Sequence, residues 1–267
     1  MSINDINNAA AAMNALKERY EGFLNDADAQ IAQRQGQYDA LANDLKGVIR
    51  SEAAFEATVD PDVENPVGGD GGTYNSLRGL IDGSPKGSLV FANLAAGKTH
   101  YLDANIGLAG RKLFIRKAGV GDRPVLTPNV AVTAGSNECK RFTDLNGGLI
   151  SISDVDVTMP PKVDEALGWH AFYYCLVENY LSPSVDFRLN LSKFTTDTGG
   201  TLVSANRGTI VNMSLHDATI DGPGFAVKQV GGWGVALIAK RAVTLLNGAS
   251  LQQGGTIGVD VLENGGT

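Results

Sequence analysis

The chain has 267 residues, 43% hydrophobic and 19% charged, which is enough apolar material for a packed core and too much for a disordered polymer. Its formal charge of −7 is all N-terminal: residues 1–64 hold 12 acidic and 5 basic side chains, and residues 65–267 hold 17 of each. A neutral body with scattered Lys and Arg lacks the clustered cations that a phosphate backbone requires, so nucleic acid is not expected as a partner.

The N-terminus, Met1-Ser2-Ile3-Asn4-Asp5, has neither a basic n-region nor an apolar h-region, so no secretory signal is read. No run approaches the ~18 apolar residues of a membrane span, and membrane insertion is not expected. A role outside a bacterium would then require release by another route, such as lysis.

Up to about residue 60 the sequence is built from Ala, Asn, Gln, Glu, Asp and Leu, and its apolar positions keep a seven-residue spacing. Ile6, Met13, Tyr20 and Ala27 recur every seven, with Ala9, Leu16 and Phe23 three places on. From Leu24 the register moves: Leu24, Ile31, Tyr38 and Leu45 form one series, and Ala27, Arg34, Leu41, Val48 and Phe55 fill the other. The steps Leu16–Tyr20–Leu24 are a four-residue stutter in a heptad pattern, which predicts a coiled coil. One helix over residues 3–57 would run roughly 80 Å at ~1.5 Å per residue, more than a body this size could cover. The seam must therefore be covered by copies of the same helix. A homotrimer is favoured, although aromatic and alanine seam residues do not fix the number. Gly22, Gly36 and Gly47 each cost about 1 kcal/mol of helix propensity, and Arg34 packs poorly in a seam, so the stalk depends on association.

Pro61, Pro66 and the cluster Gly68-Gly69-Asp70-Gly71-Gly72 cannot continue a helix. Residues 1–57 read as a trimerisation and attachment stalk, 58–73 as a flexible Gly/Pro neck, and 74–267 as a body. A short helix is predicted at Tyr74–Asp82, with Leu77, Leu80 and Ile81 on one face. Beyond residue 88, short apolar runs are broken by Gly, Asn, Asp or Pro: Leu89–Phe91, Lys112–Arg116, Leu149–Val157, Val185–Leu191, Thr209–Leu215, Ala218–Ile220, Phe225–Val230, Val235–Ile238, Val243–Leu246 and Thr256–Leu262. This predicts an all-β body. Ile150, Ile152, Val155 and Val157 change face only across Ser153-Asp154, which predicts a bend there. Short strands with small or polar corner residues fit a parallel β-helix better than a sandwich, whose hairpin dipeptides would be more regular.

The segments Ser76-Leu77-Arg78-Gly79-Leu80-Ile81, Asn93-Leu94-Ala95-Ala96-Gly97-Lys98-Thr99-His100-Tyr101-Leu102, Leu113-Phe114-Ile115-Arg116 and Arg123-Pro124-Val125-Leu126 resemble the opening of pectate-lyase-like β-helices. In that family a capping helix precedes an apolar-Ala-Gly-x-Tyr motif and a first-rung Ile-Arg strand. Phage tailspikes and tail fibres use a similar opening behind an N-terminal trimeric segment. The resemblance covers residues 73–130 by motif and the rest by texture. It implies a mainly β protein: a long N-terminal α-helix forming a trimeric coiled coil, then a right-handed parallel β-helix. It further implies a virion location, assembly in the host cytoplasm, docking to other tail or baseplate proteins through the stalk, and binding of a host cell-surface glycan. A connector carrying another adhesin is a variant, and a polysaccharide depolymerase is the alternative.

Asp154 with Asp156, and Asp217 with Asp221, are the carboxylates a depolymerase would use. Their Ser-Asp and Asp-Gly settings read better as turn residues, so no catalytic residue is assigned. His100, His170 and His216 stand alone, and Gly68–Gly72 lacks the Lys-Ser/Thr of a phosphate loop. Cys139 and Cys175, without Cys or His at metal spacing, read as buried free thiols, and neither metal nor cofactor is expected. The strongest binding candidates are Trp169, His170, Tyr173 and Tyr174, which follow a Pro160-Pro161 loop; aromatic faces stack on sugar rings and their polar edges hydrogen-bond hydroxyls. Trp233, in Gly231-Gly232-Trp233-Gly234, is a second contact candidate.

Overall fold

A computed structural model describes residues 2–143, 145–179, 183–206, 208–229, 235–253 and 259–263; for residues 5, 42–53, 229, 252–253 and 259–263 it describes the backbone alone. The chain forms two compact units, residues 1–51 and 52–267.

The first unit is one helix, α1 (Ile3–Ala53), 51 residues long. Gly22 and Gly36 lie in it with open space where a Cβ would stand, so neither marks a close approach. The side chains expected in a seam, Ile6, Met13, Leu16, Tyr20, Leu24, Ile31, Tyr38 and Leu41, are solvent-exposed on the single chain, from 44% at Leu24 to 72% at Met13. Leu45 and Val48 are on the α1 backbone, but their side chains lie outside those described. No helix among the described residues is long and apolar enough to cross a membrane.

The helix stops four residues short of the expected boundary. Phe55 is not a seam residue: it lies in strand β1 (Ala54–Val59) and is buried in the body. The stretch 58–73 is likewise part of the body rather than a flexible neck. Thr58 and Val59 pair with Thr73 and Tyr74 of β2 (Thr73–Tyr74), and the intervening loop folds back on β1. The Glu56 amide donates to Asp70 Oδ1 and the Gly71 amide donates to the Glu56 carbonyl. A Cβ on Gly72 would stand 2.1 Å from the Val67 carbonyl oxygen, so glycine here serves close packing, not mobility.

Helix α2 (Leu77–Gly83) is capped by Ser76, whose hydroxyl accepts from the Gly79 amide, and buries Leu77, Leu80 and Ile81 as the sequence predicts. After it the chain repeats one circuit through three parallel sheets. Sheet A takes β3 (Leu89–Ala95), β6 (Lys112–Ala118), β11 (Leu149–Ser153), β14 (Ser184–Asn190), β17 (Ile210–His216), β20 (Val235–Arg241) and β23 (Val259–Glu263). Sheet B takes β4 (Thr99–Leu102), β7 (Val125–Pro128), β12 (Asp156–Thr158), β15 (Lys193–Thr195), β18 (Thr219–Asp221) and β21 (Thr244–Leu246). Sheet C takes β5 (Ile106–Gly107), β10 (Phe142–Thr143), β13 (Cys175–Asn179), β16 (Thr201–Ala205), β19 (Phe225–Gln229) and β22 (Ser250–Gln253). Stacked parallel strands visited in the order A, B, C are consistent with a parallel β-helix and with neither a sandwich nor a βαβ fold.

The core consists of in-register columns. In sheet A, Phe55, Val90, Leu113, Ile150, Phe187, Met213 and Ile238 stack one above another, all buried. Sheet B contributes Leu126, Val157, Phe194 and Ile220, and sheet C contributes Ile106, Phe142, Val177, Val203 and Val227. The bend expected at Ser153-Asp154 is a repeated device. Asp154, Leu191, Asp217 and Ala242 each follow a sheet A strand with φ between 47° and 56°, turning the chain into sheet B. Three of their amides donate to the next rung: Asp154 to Asn190, Leu191 to His216, and Asp217 to Arg241.

Rung lengths differ. Leu89 pairs with Lys112, Leu113 with Ile150, Leu149 with Asp186, Ser184 with Ile210, Ile210 with Val235 and Ala236 with Val259, giving steps of 23, 37, 37, 26, 25 and 23 residues. Both long rungs carry their extra chain between sheets B and C. One holds an antiparallel hairpin, β8 (Val130–Thr133) with β9 (Ser136–Cys139); the other holds the irregular segment 159–174.

Candidate functional site

The two insertions lie on successive rungs and build one lobe. Asn137 of β9 is fully buried and holds the 159–174 segment in place. Its amide nitrogen donates to the Asp164 and Leu167 carbonyls, and its Oδ1 accepts from the Val163 and Asp164 amides. Its backbone amide donates to Gly168 and its carbonyl accepts from His170, extending the pairing to the aromatic run.

This scaffold brings four of the five predicted contact residues together. The Trp169 and Tyr174 rings stack at 3.8 Å and 7°, and the Trp169 indole N–H donates to Thr198 Oγ1 at 3.2 Å. The Tyr174 hydroxyl shares the same Thr198 oxygen at 2.8 Å and lies 3.2 Å from Thr196 Oγ1. Burial pushes its pKa up against those two hydrogen bonds. The His170 and Tyr173 rings stack at 3.9 Å and 9°, while the Arg141 guanidinium lies 3.7 Å from the Tyr173 centroid. Two groups that close cannot share one face of the ring, so Tyr173 is covered on both sides. Arg141 is itself buried, donating through Nε to Glu178 and through a terminal nitrogen to the Cys139 carbonyl. Tyr173 and the buried Tyr174 are therefore props for the half-buried Trp169 and His170. Trp233 lies outside the described residues.

Beside the lobe is a cleft of about 560 Å³ that sequence reasoning missed. Its floor includes the outward row Tyr101, Thr127 and Thr158, three in-register residues of sheet B. Asn129, Lys162 and Asp197 supply its polar rim, with Pro160 and Pro161 on the wall. Tyr101 is 54% exposed. The only sequence cue was alternation in Thr99–Leu102, which turns Tyr101 outward when His100 and Leu102 are buried. A cleft of this volume falls in the ~300–1,000 Å³ range of ligand sites, and an aromatic face among hydroxyl and amide groups suits a ring-shaped polyol.

The carboxylates weighed for catalysis are engaged elsewhere. Asp154 pairs with Lys117 at 2.8 Å and Arg123 at 2.9 Å, and Lys117 foremost holds it below the usual carboxylate range. Asp156 accepts from the Lys193 amide, and Asp221 is held low by the Lys193 ammonium and Asn247. Asp217 lies 2.8 Å from His216. Asp154, Asp156 and Asp221 thereby tie neighbouring rungs together. Among the described residues, no three His, Cys, Asp or Glu side chains converge as a metal would need. Cys139 and Cys175 are free and buried, and burial pushes the Cys139 thiol up to about 12 and the Cys175 thiol higher still. His100 is 3% exposed, with Nε2 within 3.2 Å of the Ala95 carbonyl.

No family model matches the chain, and neither a curated protein nor a solved structure matches it.

Proposed function

We propose that this chain is an attachment fibre that works as a parallel homotrimer. More particularly, it is a phage tail fibre or tailspike: α1 trimerises and docks to other tail or baseplate proteins, and the body contacts a host cell-surface glycan. The body is then a right-handed parallel β-helix, the hand that parallel crossover connections adopt. The observation that carries the reading is the exposed heptad stripe of α1, since a stripe of Ile, Leu, Met and Tyr on an isolated helix has no stable place in water.

Glycan contact is supported by the lobe and its cleft, where Trp169, His170 and Tyr101 offer partly open rings beside hydroxyl and amide groups. Three such sites on one stalk convert weak individual binding into useful avidity. Ion-paired Asp154 and Asp221 disfavour the depolymerase alternative, because a general acid needs a raised carboxyl pKa and these are lowered. Native mass spectrometry of the full chain tests the proposal. Three chains per particle are expected; a single chain at micromolar concentration with α1 still helical overturns it.

A further inference from the structure

Arg34 is the one charged side chain in the heptad seam. It is exposed, and it makes no hydrogen bond or ion pair among the described residues. No carboxylate lies within four residues of it on either side. Residues 29–38 read Ala-Gln-Ile-Ala-Gln-Arg-Gln-Gly-Gln-Tyr, with one cation, no carboxylate and four glutamines, inside a helix with more acidic than basic side chains. The nearest acids along the helix are Asp28, six residues back, and Asp39, five residues on, about 9 Å and 8 Å away along the axis. Asp39 already accepts from Gln35.

Resting on the trimer reading above, we infer that the Arg34 layer of the stalk is a binding site for one small multivalent oxyanion of the phosphate or sulfate type. A closed three-chain assembly has cyclic symmetry, which makes the helices parallel and sets all three Arg34 at the same height. Ile31 and Tyr38 flank that height in the seam, so three guanidinium groups meet where water is partly excluded and no carboxylate stands in the same layer. Like charges so placed repel and bind a shared counter-ion. Guanidinium forks suit the edges of a tetrahedral oxyanion better than a chloride ion, because each oxygen pair accepts two parallel N–H bonds. Gln30 and Gln37, one place before Ile31 and Tyr38, lie at seam-flanking positions and add neutral amide donors. The layer thereby gains a function in place of the packing it forfeits.

The test uses the full chain and its Arg34→Met variant, each melted by circular dichroism at 222 nm. Each is melted with and without about 10 mM inorganic phosphate at matched ionic strength, too dilute for the general stabilisation that concentrated kosmotropes give. Phosphate should raise the stalk midpoint of the wild type by about 5 °C, should not move that of Arg34→Met, and should bind at one ion per three chains in equilibrium dialysis. Native mass is recorded in parallel. Three chains with equal midpoints in phosphate and chloride, or a phosphate effect that survives Arg34→Met, overturn the anion site and leave the fibre reading standing. One chain per particle overturns the fibre reading, and the anion site with it.

Discussion

Two buried side chains show how much of this molecule is decided by individual polar atoms. Asn137 spends both ends of its amide on four backbone groups of the 159–174 segment, with no exposure to solvent. Asn137→Ala should weaken the lobe by about 2–4 kcal/mol, since buried partners are left unsatisfied unless the segment opens to water. The loss of near-ultraviolet dichroism from stacked Trp169 and Tyr174, with far-ultraviolet strand signal unchanged, would report it. His100 poses the opposite case: it occupies a core position of sheet B, and its Nδ1 has no hydrogen-bond partner among the described residues. Burial lowers its pKa, against the Ala95 carbonyl, which favours the charged form. The folded chain then holds the neutral ring, while the unfolded chain takes a proton near pH 6.5. Stability attributable to His100 is present above that value and falls as pH drops below it toward the folded-state pKa. His100→Leu should flatten the denaturation midpoint between about pH 7.5 and 5.5 and raise it at the acid end. A wild-type acid slope retained in the variant would refute this.

At the scale of elements, much of the body was legible because strand alternation is a short-range signal. Ile150, Ile152, Val155 and Val157 revealed the corner at Asp154, and the runs at Val185–Leu191 and Thr209–Leu215 fall on sheet A strands. Strand β1 was not legible: Phe55 continues the heptad count as faithfully as it begins the Phe55, Ala57, Val59 alternation, and only pairing with β3 decides between them. Strands β13 and β16 are buried along their whole lengths, so they carry no alternation to read. The glycines at 68–72 suggested freedom by composition, yet long-range contacts with Glu56 and Thr58 and a close local approach to Val67 fix that loop. The cleft was hidden for the same reason, since Tyr101, Thr127 and Thr158 meet only once three rungs are stacked. Tight stacking also predicts where a single methyl group is intolerable. Gly222 has φ 98°, and a Cβ there would lie 1.7 Å from the Thr196 carbonyl oxygen of the rung before. Gly222→Ala should cost about 2 kcal/mol or more in thermal or denaturant unfolding of the body.

For the whole molecule, the two units place opposite demands on association. The body buries its own apolar columns, whereas α1 leaves its apolar stripe exposed on the single chain. On the trimer proposed above, Ile31→Asp puts a carboxylate into the seam and should reduce the native mass from three chains to one and abolish most helical dichroism, leaving strand signal intact. A variant that stays trimeric would place the seam elsewhere. The lobe's position carries a different implication. Columns of parallel strands fix where each rung must re-enter the stack, and they are indifferent to how much chain is spent between sheets B and C. Two successive circuits use that freedom while keeping neighbouring registers unbroken. That corner is a cassette. A foreign loop grafted across residues 159–174 would change the surface displayed at that corner while every rung below and above it keeps its place, so the strand stack tolerates a new surface there without being rebuilt.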